Sequence, residues 1–320
     1  MTSRAQENCL VTGGAGFIGS HLVEGLLQRG WSVRVLDNLS TGNLENLRNM
    51  LGEIDFVEGD VRDPDAVERA MDGAAHVFHL AAQSSVAQSL ERPIATHDVN
   101  TGGTLNVLMC AIRRCCHTIV YSSTCAVYGD PREQPVSEEL GPDPRSPYAA
   151  AKLAGEHYCR VLARLHGLRV FILRYFNVYG PRQNPHAEYA AVIPRFIQRA
   201  CNGEQPVIFG DGEQTRDFVY VSDVVRANLA CCEAGGGVAS PLNIGSGKAI
   251  SIAALAGAVA RMTGLSGSPL HAPARRGEVR HSCADVSKAE RILGWRASVP
   301  LEEGLRKTLD WYRGRVGPRQ

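Results

Sequence analysis

Short apolar runs alternate with longer amphipathic stretches through the first half of the chain. The runs at 9–11, 31–36, 55–58, 76–80, 118–122 and 169–173 are too short for helices and are rich in Val, Ile, Leu and Phe, so they predict buried strands. Between them, apolar residues recur at helical spacing over 20–29, 65–71, 103–114 and 147–165. Gly30 supplies a stop for the first of these helices. Strands and helices alternating at this rhythm predict an α/β chain built on a parallel, doubly wound sheet.

The second half changes character. Residues 181–189 are rich in Pro, Asn and charge and read as a functional loop. Gly210-Asp211-Gly212 reads as a turn and Gly235-Gly236-Gly237 as a flexible surface connection. Helices are predicted at 252–263 and 301–312, on either side of a basic stretch at 275–280. This half is expected to form a smaller α/β substrate lobe. The division falls at 1–175 and 176–320, with an intertwined boundary. Internal repeats and low-complexity tracts are absent.

Composition narrows the partners. With 320 residues, 44% hydrophobic and 21% charged, the chain can bury a large core, and a formal net charge of +1 favours neither nucleic acid nor an anionic membrane. No apolar stretch approaches the roughly 20 residues of a membrane span. The first eight residues are short and polar and lead straight into a strand, so no secretory signal is expected. The ten cysteines include the adjacent pairs Cys115-Cys116 and Cys231-Cys232 and no C-x-x-C. That pattern predicts free thiols in a reducing cytoplasm and no metal site.

The chemistry starts at the segment from Thr12 to Gly19, T-G-G-A-G-F-I-G, which contains both G-x-x-G-x-x-G and G-x-G-x-x-G. Gly13, Gly16 and Gly19 allow a tight turn, close approach of the backbone to a pyrophosphate, and close helix–strand packing. The following helix N-terminus favours the anion. Asp37 lies 18 residues after Gly19, at the end of the second strand, where a carboxylate can hold the ribose hydroxyls and repel a 2′-phosphate. NAD is therefore expected rather than NADP, in a Rossmann-type domain. Asp60-Val61, after the third strand, is placed to meet the adenine. The second signal is Tyr148-Ala149-Ala150-Ala151-Lys152. The Tyr-x-x-x-Lys spacing puts both side chains on one helix face, where an ammonium can lower a phenol pKa from about 10. Such a tyrosine can take a proton from a sugar hydroxyl while a nicotinamide takes the hydride.

Taken with H-L-A-A-Q at 79–83, Y-S-S-T-C-A-V-Y-G at 121–129, S-P-Y-A-A-A-K at 146–152, R-Y-F-N-V-Y-G-P at 174–181, G-D-G-E-Q-T-R-D-F-V-Y-V-S-D-V at 210–224, N-I-G-S-G at 243–247 and R-H-S-C-A-D-V-S-K-A at 280–289, the chain resembles the extended short-chain dehydrogenase/reductases. Within them it is similar to the nucleotide-sugar 4-epimerases, over nearly its whole length. The resemblance implies Tyr148 as catalytic base, Lys152 on the nicotinamide ribose, and Thr124 as the hydroxyl partner of the reacting oxygen. It extends the cofactor contacts to Phe17, Ile18, Asn38, Leu80, Ala81, Ala82 and Tyr175. On the substrate side it implies Asn177 at the phosphate or sugar, Val207, Ile208 and Phe209 beside the uracil, and Arg216 and Arg275 on the diphosphate. Ser84 and Val192 join that set, and Glu278 takes the ribose in an R-R-G-E that relatives often write R-P-G-D.

The same resemblance separates reactions. Dehydratase relatives carry Thr-Asp-Glu where this chain has Thr124-Cys125-Ala126, and decarboxylating relatives keep the Glu. Without those carboxylates the implied reaction is C4 epimerisation of a UDP-hexose through a 4-keto sugar that turns about its diphosphate link, with NAD regenerated in each cycle. Ser282 stands where a bulky Tyr blocks N-acetyl groups in relatives restricted to glucose and galactose. UDP-GlcNAc/UDP-GalNAc is therefore expected alongside UDP-Glc/UDP-Gal. The alternatives are a UDP-uronate 4-epimerase, an NDP-4-keto-sugar reductase, or a non-catalytic dinucleotide sensor. A homodimer is expected through the helices near 103–114 and 147–165. Plainer readings cover the remainder: His79 as a core or cofactor-edge histidine, His97 as non-catalytic, Cys125 as packing, and Tyr179 and Tyr189 as packing or loop residues.

Overall fold

Seven strands, all but the edge strand Ile54–Glu58 buried through most of their length, assemble edge to edge because short apolar segments covered on both faces have no stable alternative. They are β1 (Asn8–Thr12), β2 (Ser32–Asp37), β3 (Ile54–Glu58), β4 (His76–His79), β5 (Thr118–Thr124), β6 (Arg169–Tyr175) and a later strand, Pro241–Ile244. The chain is known from a computed structural model that describes residues 7–185, 191–237, 239–274 and 279–314. The helices of this half are α1 (Phe17–Leu27), α2 (Pro64–Met71), α3 (Val86–Glu91), α4 (Pro93–His97), α5 (Thr104–Arg113) and α6 (Pro147–His166). A π-helical stretch, Asp98–Gly103, leads into α5.

The second half adds β7 (Asn177–Tyr179), α7 (Val192–Cys201), β8 (Val207–Phe209), β9 (Thr215–Tyr220), α8 (Val221–Glu233), β10 (Pro241–Ile244), β11 (Ala249–Ser251), α9 (Ile252–Thr263), β12 (Leu270–Ala272), α10 (Ser287–Leu293) and α11 (Leu301–Arg313). The large sheet runs β10-β6-β5-β4-β1-β2-β3, and every pairing in it is parallel. Strand order reverses between β1 and β4, where a doubly wound sheet opens its ligand crevice. Alternation along the strands splits the interior in two. Cys9 and Val11 face a core with Leu22, Leu26, Val224 and Leu229, while Leu10 faces the other with Met71, Leu108, Tyr121 and Cys159.

The predicted division at 175/176 is crossed by the chain. β10 pairs with β6 from Pro241↔Ile172 to Ile244↔Tyr175. α8 lies on α1 so closely that a Cβ on Gly25 would stand 2.7 Å from Val225 Cγ1. The rest of the second half has its own core, with Phe196, Ile208, Leu255, Val259, Leu305 and Leu309. It carries a three-stranded sheet β11-β9-β7 and a β12-β8 pair. The strands β7 to β11 are three to six residues long, so their periodicity is weak in the sequence. All ten cysteines are free. Among the described residues, no helix is long and apolar enough to cross a membrane, and no group of three or more His, Cys, Asp or Glu could hold a metal ion.

Candidate active site

The glycine turn between β1 and α1 has the shape its sequence predicts. Gly13 adopts φ +72°, and a Cβ there would lie 2.7 Å from the Ala81 nitrogen. A Cβ on Gly19 would meet the Gly13 carbonyl oxygen at 2.1 Å, so the first turn of α1 can sit against the loop only with glycine at that position. Gly16 caps α1 with no side-chain hydrogen bond. No side chain therefore competes with an anion for the helix terminus, with Phe17 and Ile18 in its first turn. Asp37 is nearly buried at the end of β2 and accepts the Ala15 N–H (2.9 Å) and the Leu39 N–H (2.8 Å), which leaves each oxygen a further lone pair. Burial pushes its carboxyl up, against the pull of those two donors. A glycine-lined, uncapped helix terminus followed by a carboxylate fits a dinucleotide pyrophosphate and ribose. Leu80, Ala81 and Ala82 follow β4 along the same crevice and are partly exposed.

Other cofactor candidates are placed less directly. Asn38 donates to Asp60 (2.7 Å), and Asp60 also takes both arms of Arg62 (3.0 and 2.8 Å), whose hydrogen bonds are the main reason its carboxyl is lowered to about 2. Val61 is buried against Gly103, as a core side chain. The Tyr175 hydroxyl lies 3.1 Å from Ser122 Oγ and 2.8 Å from Asn228 Nδ2, inside the core. Its hydroxyl is thereby engaged within the core.

A hydrogen-bond chain braces the crevice from behind. Thr104 Oγ1 donates to the Asn100 carbonyl (2.6 Å), so it accepts from His79 Nε2 (2.9 Å). His79 Nδ1 is then the acceptor for Thr12 Oγ1 (2.7 Å), which in turn accepts the Ala81 N–H (3.2 Å). Burial, and secondarily the Lys152 charge, lower His79 to about 3, so the ring is neutral. His79 is a core histidine that fixes the glycine turn, and His97 is exposed at the end of α4. Asn100 clamps the 80–84 segment by accepting the Gln83 N–H (2.8 Å) and donating to its carbonyl (3.0 Å). The sequence reading missed Thr12, Asn100 and Thr104; the Gly-Gly inside a helical pattern at 102–103 was the available signal.

Helix α6 carries the candidate pair, Tyr148 and Lys152. Ser146 caps it by accepting the Ala149 N–H (3.2 Å), with Pro147 in the first turn. Gly155 lets the helix settle on Tyr121, since a Cβ there would be 2.2 Å from the Tyr121 hydroxyl. This contact sets Tyr148 and Lys152 opposite the end of β5. Thr124 accepts the Ala126 N–H (3.1 Å) and faces the Tyr148 phenol. Burial pushes Tyr148 up to about 12, with the Thr124 hydrogen bond pulling it down. The Lys152 ammonium donates to the Ser122 carbonyl (2.8 Å), lies 5.1 Å from the Tyr121 ring centroid, and is lowered to about 8 by burial. Burial drives both groups toward neutrality, and Thr124 exerts the downward pull.

The substrate candidates converge on the same place from the second half. Ser282 hydrogen-bonds the Cys125 thiol, and Arg216 and Asp217 act on that thiol electrostatically. Burial holds Cys125 up at about 11, a neutral packing thiol that also borders Tyr148. Asn177 donates to the Asp217 carbonyl (3.2 Å). Val207 and Phe209 are partly exposed on β8, as is Val192 at the start of α7; Arg195 lies 5.8 Å from the Phe209 ring centroid. Ile208 is fully buried, so β-strand alternation takes it away from any uracil between its two neighbours. Ser84 is exposed beyond β4, and Tyr179 is buried in the second lobe's core. Arg275, Glu278 and Tyr189 lie outside the described residues. Arg280, from the same basic stretch, pairs with Asp211 through two 2.8 Å contacts.

A family model, the NAD dependent epimerase/dehydratase family, matches residues 9–245. The UDP-glucose 4-epimerase of Mycolicibacterium smegmatis is 41% identical over 314 residues, covering 96% of this chain and 98% of that protein. Among solved structures, Thermotoga maritima UDP-glucose 4-epimerase with UDP-glucose superposes with a TM-score of 0.93 at 42% identity, covering 97% of this chain and all of the other. The UDP-N-acetylglucosamine 4-epimerase of Methanobrevibacter ruminantium, in complex with UDP-N-acetylmuramic acid, gives 0.93 at 36% identity over 98% of this chain and all of the other. The glycine turn, the Thr124–Tyr148–Lys152 geometry and these matches over nearly the full length lead to one conclusion: the chain is an enzyme of the NAD dependent epimerase/dehydratase family, among the extended short-chain dehydrogenase/reductases, and NAD is its cofactor.

Proposed function

We propose that the enzyme reversibly epimerises C4 of a UDP-hexose, with NAD retained through the cycle. The observation that carries this reading is the Thr124–Tyr148 hydroxyl pair with no available carboxylate beside it among the described residues. Dehydration or decarboxylation requires a further acid or base at the sugar, and positions 125 and 126 are a neutral thiol and a methyl group. Asp217 is close by, but it is fully buried and hydrogen-bonded by four donors.

Bound NAD supplies the acceptor and donor of hydride. Tyr148 Oη takes the C4 hydroxyl proton and later returns it, and Thr124 Oγ1 holds the reacting oxygen. Lys152, anchored on the Ser122 carbonyl, gives the pocket its buried positive group. Arg216 is assigned to the diphosphate, Asn177 to the phosphate or sugar, and Val207 and Phe209 to the uracil. A grip at the nucleotide end leaves the ketone free to turn.

Purified enzyme given UDP-GlcNAc or UDP-Glc with no added NAD is expected to form the galacto epimers, read from anomeric proton signals by NMR. If no epimer forms even after NAD is supplied, these substrates are excluded and uronate epimerase or keto-reductase chemistry is tested instead. Ser282→Tyr is expected to lower kcat/KM for UDP-GlcNAc by on the order of 10- to 100-fold relative to UDP-Glc. Equal losses on both sugars would contradict the gate.

A homodimer completes the proposal. Leu90 (63% exposed), Ile94 (77%), Met109, Tyr158, Val161 and Leu165 (71%) place large apolar side chains in solvent on α3, α4, α5 and α6, which pack on one another. A second copy of the chain, meeting the same face about a twofold axis, is the proposed cover. Sedimentation should show a dimer at micromolar concentration that Ile94→Asp dissociates; a wild-type monomer sinks this part. The free thiols are in keeping with a reducing, cytoplasmic setting.

A further inference from the structure

Three of the substrate candidates lie next to one buried residue that is assigned no role so far. Asp217 sits on β9 with no exposed surface. One carboxylate oxygen accepts the Ser246 N–H and hydroxyl, both at 2.6 Å. The other accepts the Gly247 and Ala284 N–H groups, both at 3.0 Å. The fit is close, since a Cβ on Gly245 would stand 2.8 Å from Asp217 Oδ2. Arg216 is its neighbour in the strand, Asn177 donates to its main-chain carbonyl, and Ala284 is two residues beyond Ser282.

We infer that Asp217 is a positioning residue of the substrate subsite: its carboxylate ties the 245–247 turn and the Ser282 segment to the strand that carries Arg216 and, through its main-chain carbonyl, it engages Asn177. The inference rests on the proposed UDP-sugar reading and deepens it. Three of the four donors are main-chain N–H groups, which cannot turn away or become acceptors. Asn at this position presents an NH2 to at least one of them, whichever way the amide is flipped. The 245–247 turn or the 282–284 segment must then move, and the anchor and the sugar wall move with it. The glycine turn and Asp37 lie on the large sheet and share none of these bonds.

The test is calorimetric titration of UDP into NAD-loaded wild type, Asp217→Asn and Ser246→Ala, with bound NAD, melting temperature, KM and kcat measured on each. Asp217→Asn should weaken UDP binding and raise KM on the order of 10-fold or more, with NAD content unchanged and kcat within about threefold. Ser246→Ala removes only one hydroxyl donor, keeps the inference testable if the Asn variant fails to fold, and should shift UDP affinity a few-fold in the same direction. Wild-type UDP affinity in both variants would overturn the inference, as would a loss of kcat and NAD together with KM, which marks a merely structural tie. A wild-type protein that does not bind UDP overturns the UDP reading itself, a result distinguishable from either.

Discussion

Tyr148→Phe is expected to lower kcat by on the order of 100- to 10,000-fold while NAD and UDP remain bound, because it removes one oxygen and leaves the ring that packs beside Cys125. Burial pushes the phenol up to about 12, and the Thr124 hydrogen bond pulls it the other way. Thr124→Ala should therefore cost activity as well, and Thr124→Ser should restore it, since either hydroxyl can face both the phenol and the reacting oxygen. NAD content from absorbance and UDP affinity from calorimetry separate chemistry from binding. Unchanged turnover in Tyr148→Phe would remove Tyr148 from the proposed role.

The largest stability effect is expected at Glu156, one turn of α6 beyond Lys152. Its carboxylate is fully buried, with Arg174 Nε at 2.8 Å, Arg174 Nη2 at 2.6 Å and the Ser123 hydroxyl at 2.5 Å. Arg174 is itself buried, stacks 4.6 Å from the Tyr128 ring centroid, and has one nitrogen, Nη1, with no partner. Glu156→Gln leaves that guanidinium charge uncompensated in the core and should cost about 3–5 kcal/mol. The melting temperature should fall on the order of 10 °C. Replacing both Glu156 and Arg174 with Met should recover much of the loss, because the desolvation of both charges is relieved together. A single variant that melts with the wild type would show that solvent reaches the pair. Ser123 precedes Thr124, so the same bond also steadies the end of β5 that presents the Thr124 hydroxyl.

Local chemistry was legible in the sequence where one short segment does one job. The glycine turn, Asp37, the Tyr148–Lys152 face and the six leading strands could all be read because each signal is contiguous. The groups that hold those segments in place are scattered. His79 is joined to Thr12 and Thr104, Asn100 to Gln83, and Asp217 to Ser246 and Ala284, across separations that no periodicity encodes. The Tyr–Lys spacing was read correctly as a shared face, but the balance of burial against hydrogen bonding at Tyr148 depends on the surroundings in three dimensions. Ile208 shows the same limit, since a motif names three consecutive residues while a strand turns only alternate ones to a ligand.

The return of β10 to the large sheet bears on how the protein is made. On the ribosome β6 emerges first, and its outer edge stays unpaired while residues 176–240 are added, a span of several seconds at roughly 5–20 residues per second. α8, which covers α1 and the back of the cofactor crevice, is also still missing for most of that interval. The nascent sheet therefore passes through a stage with an open strand edge, the kind of surface that chaperones shield and that neighbouring chains can pair with. A truncated product ending at 175 would be held at that stage permanently, so premature termination yields an aggregation-prone fragment in place of a smaller working domain.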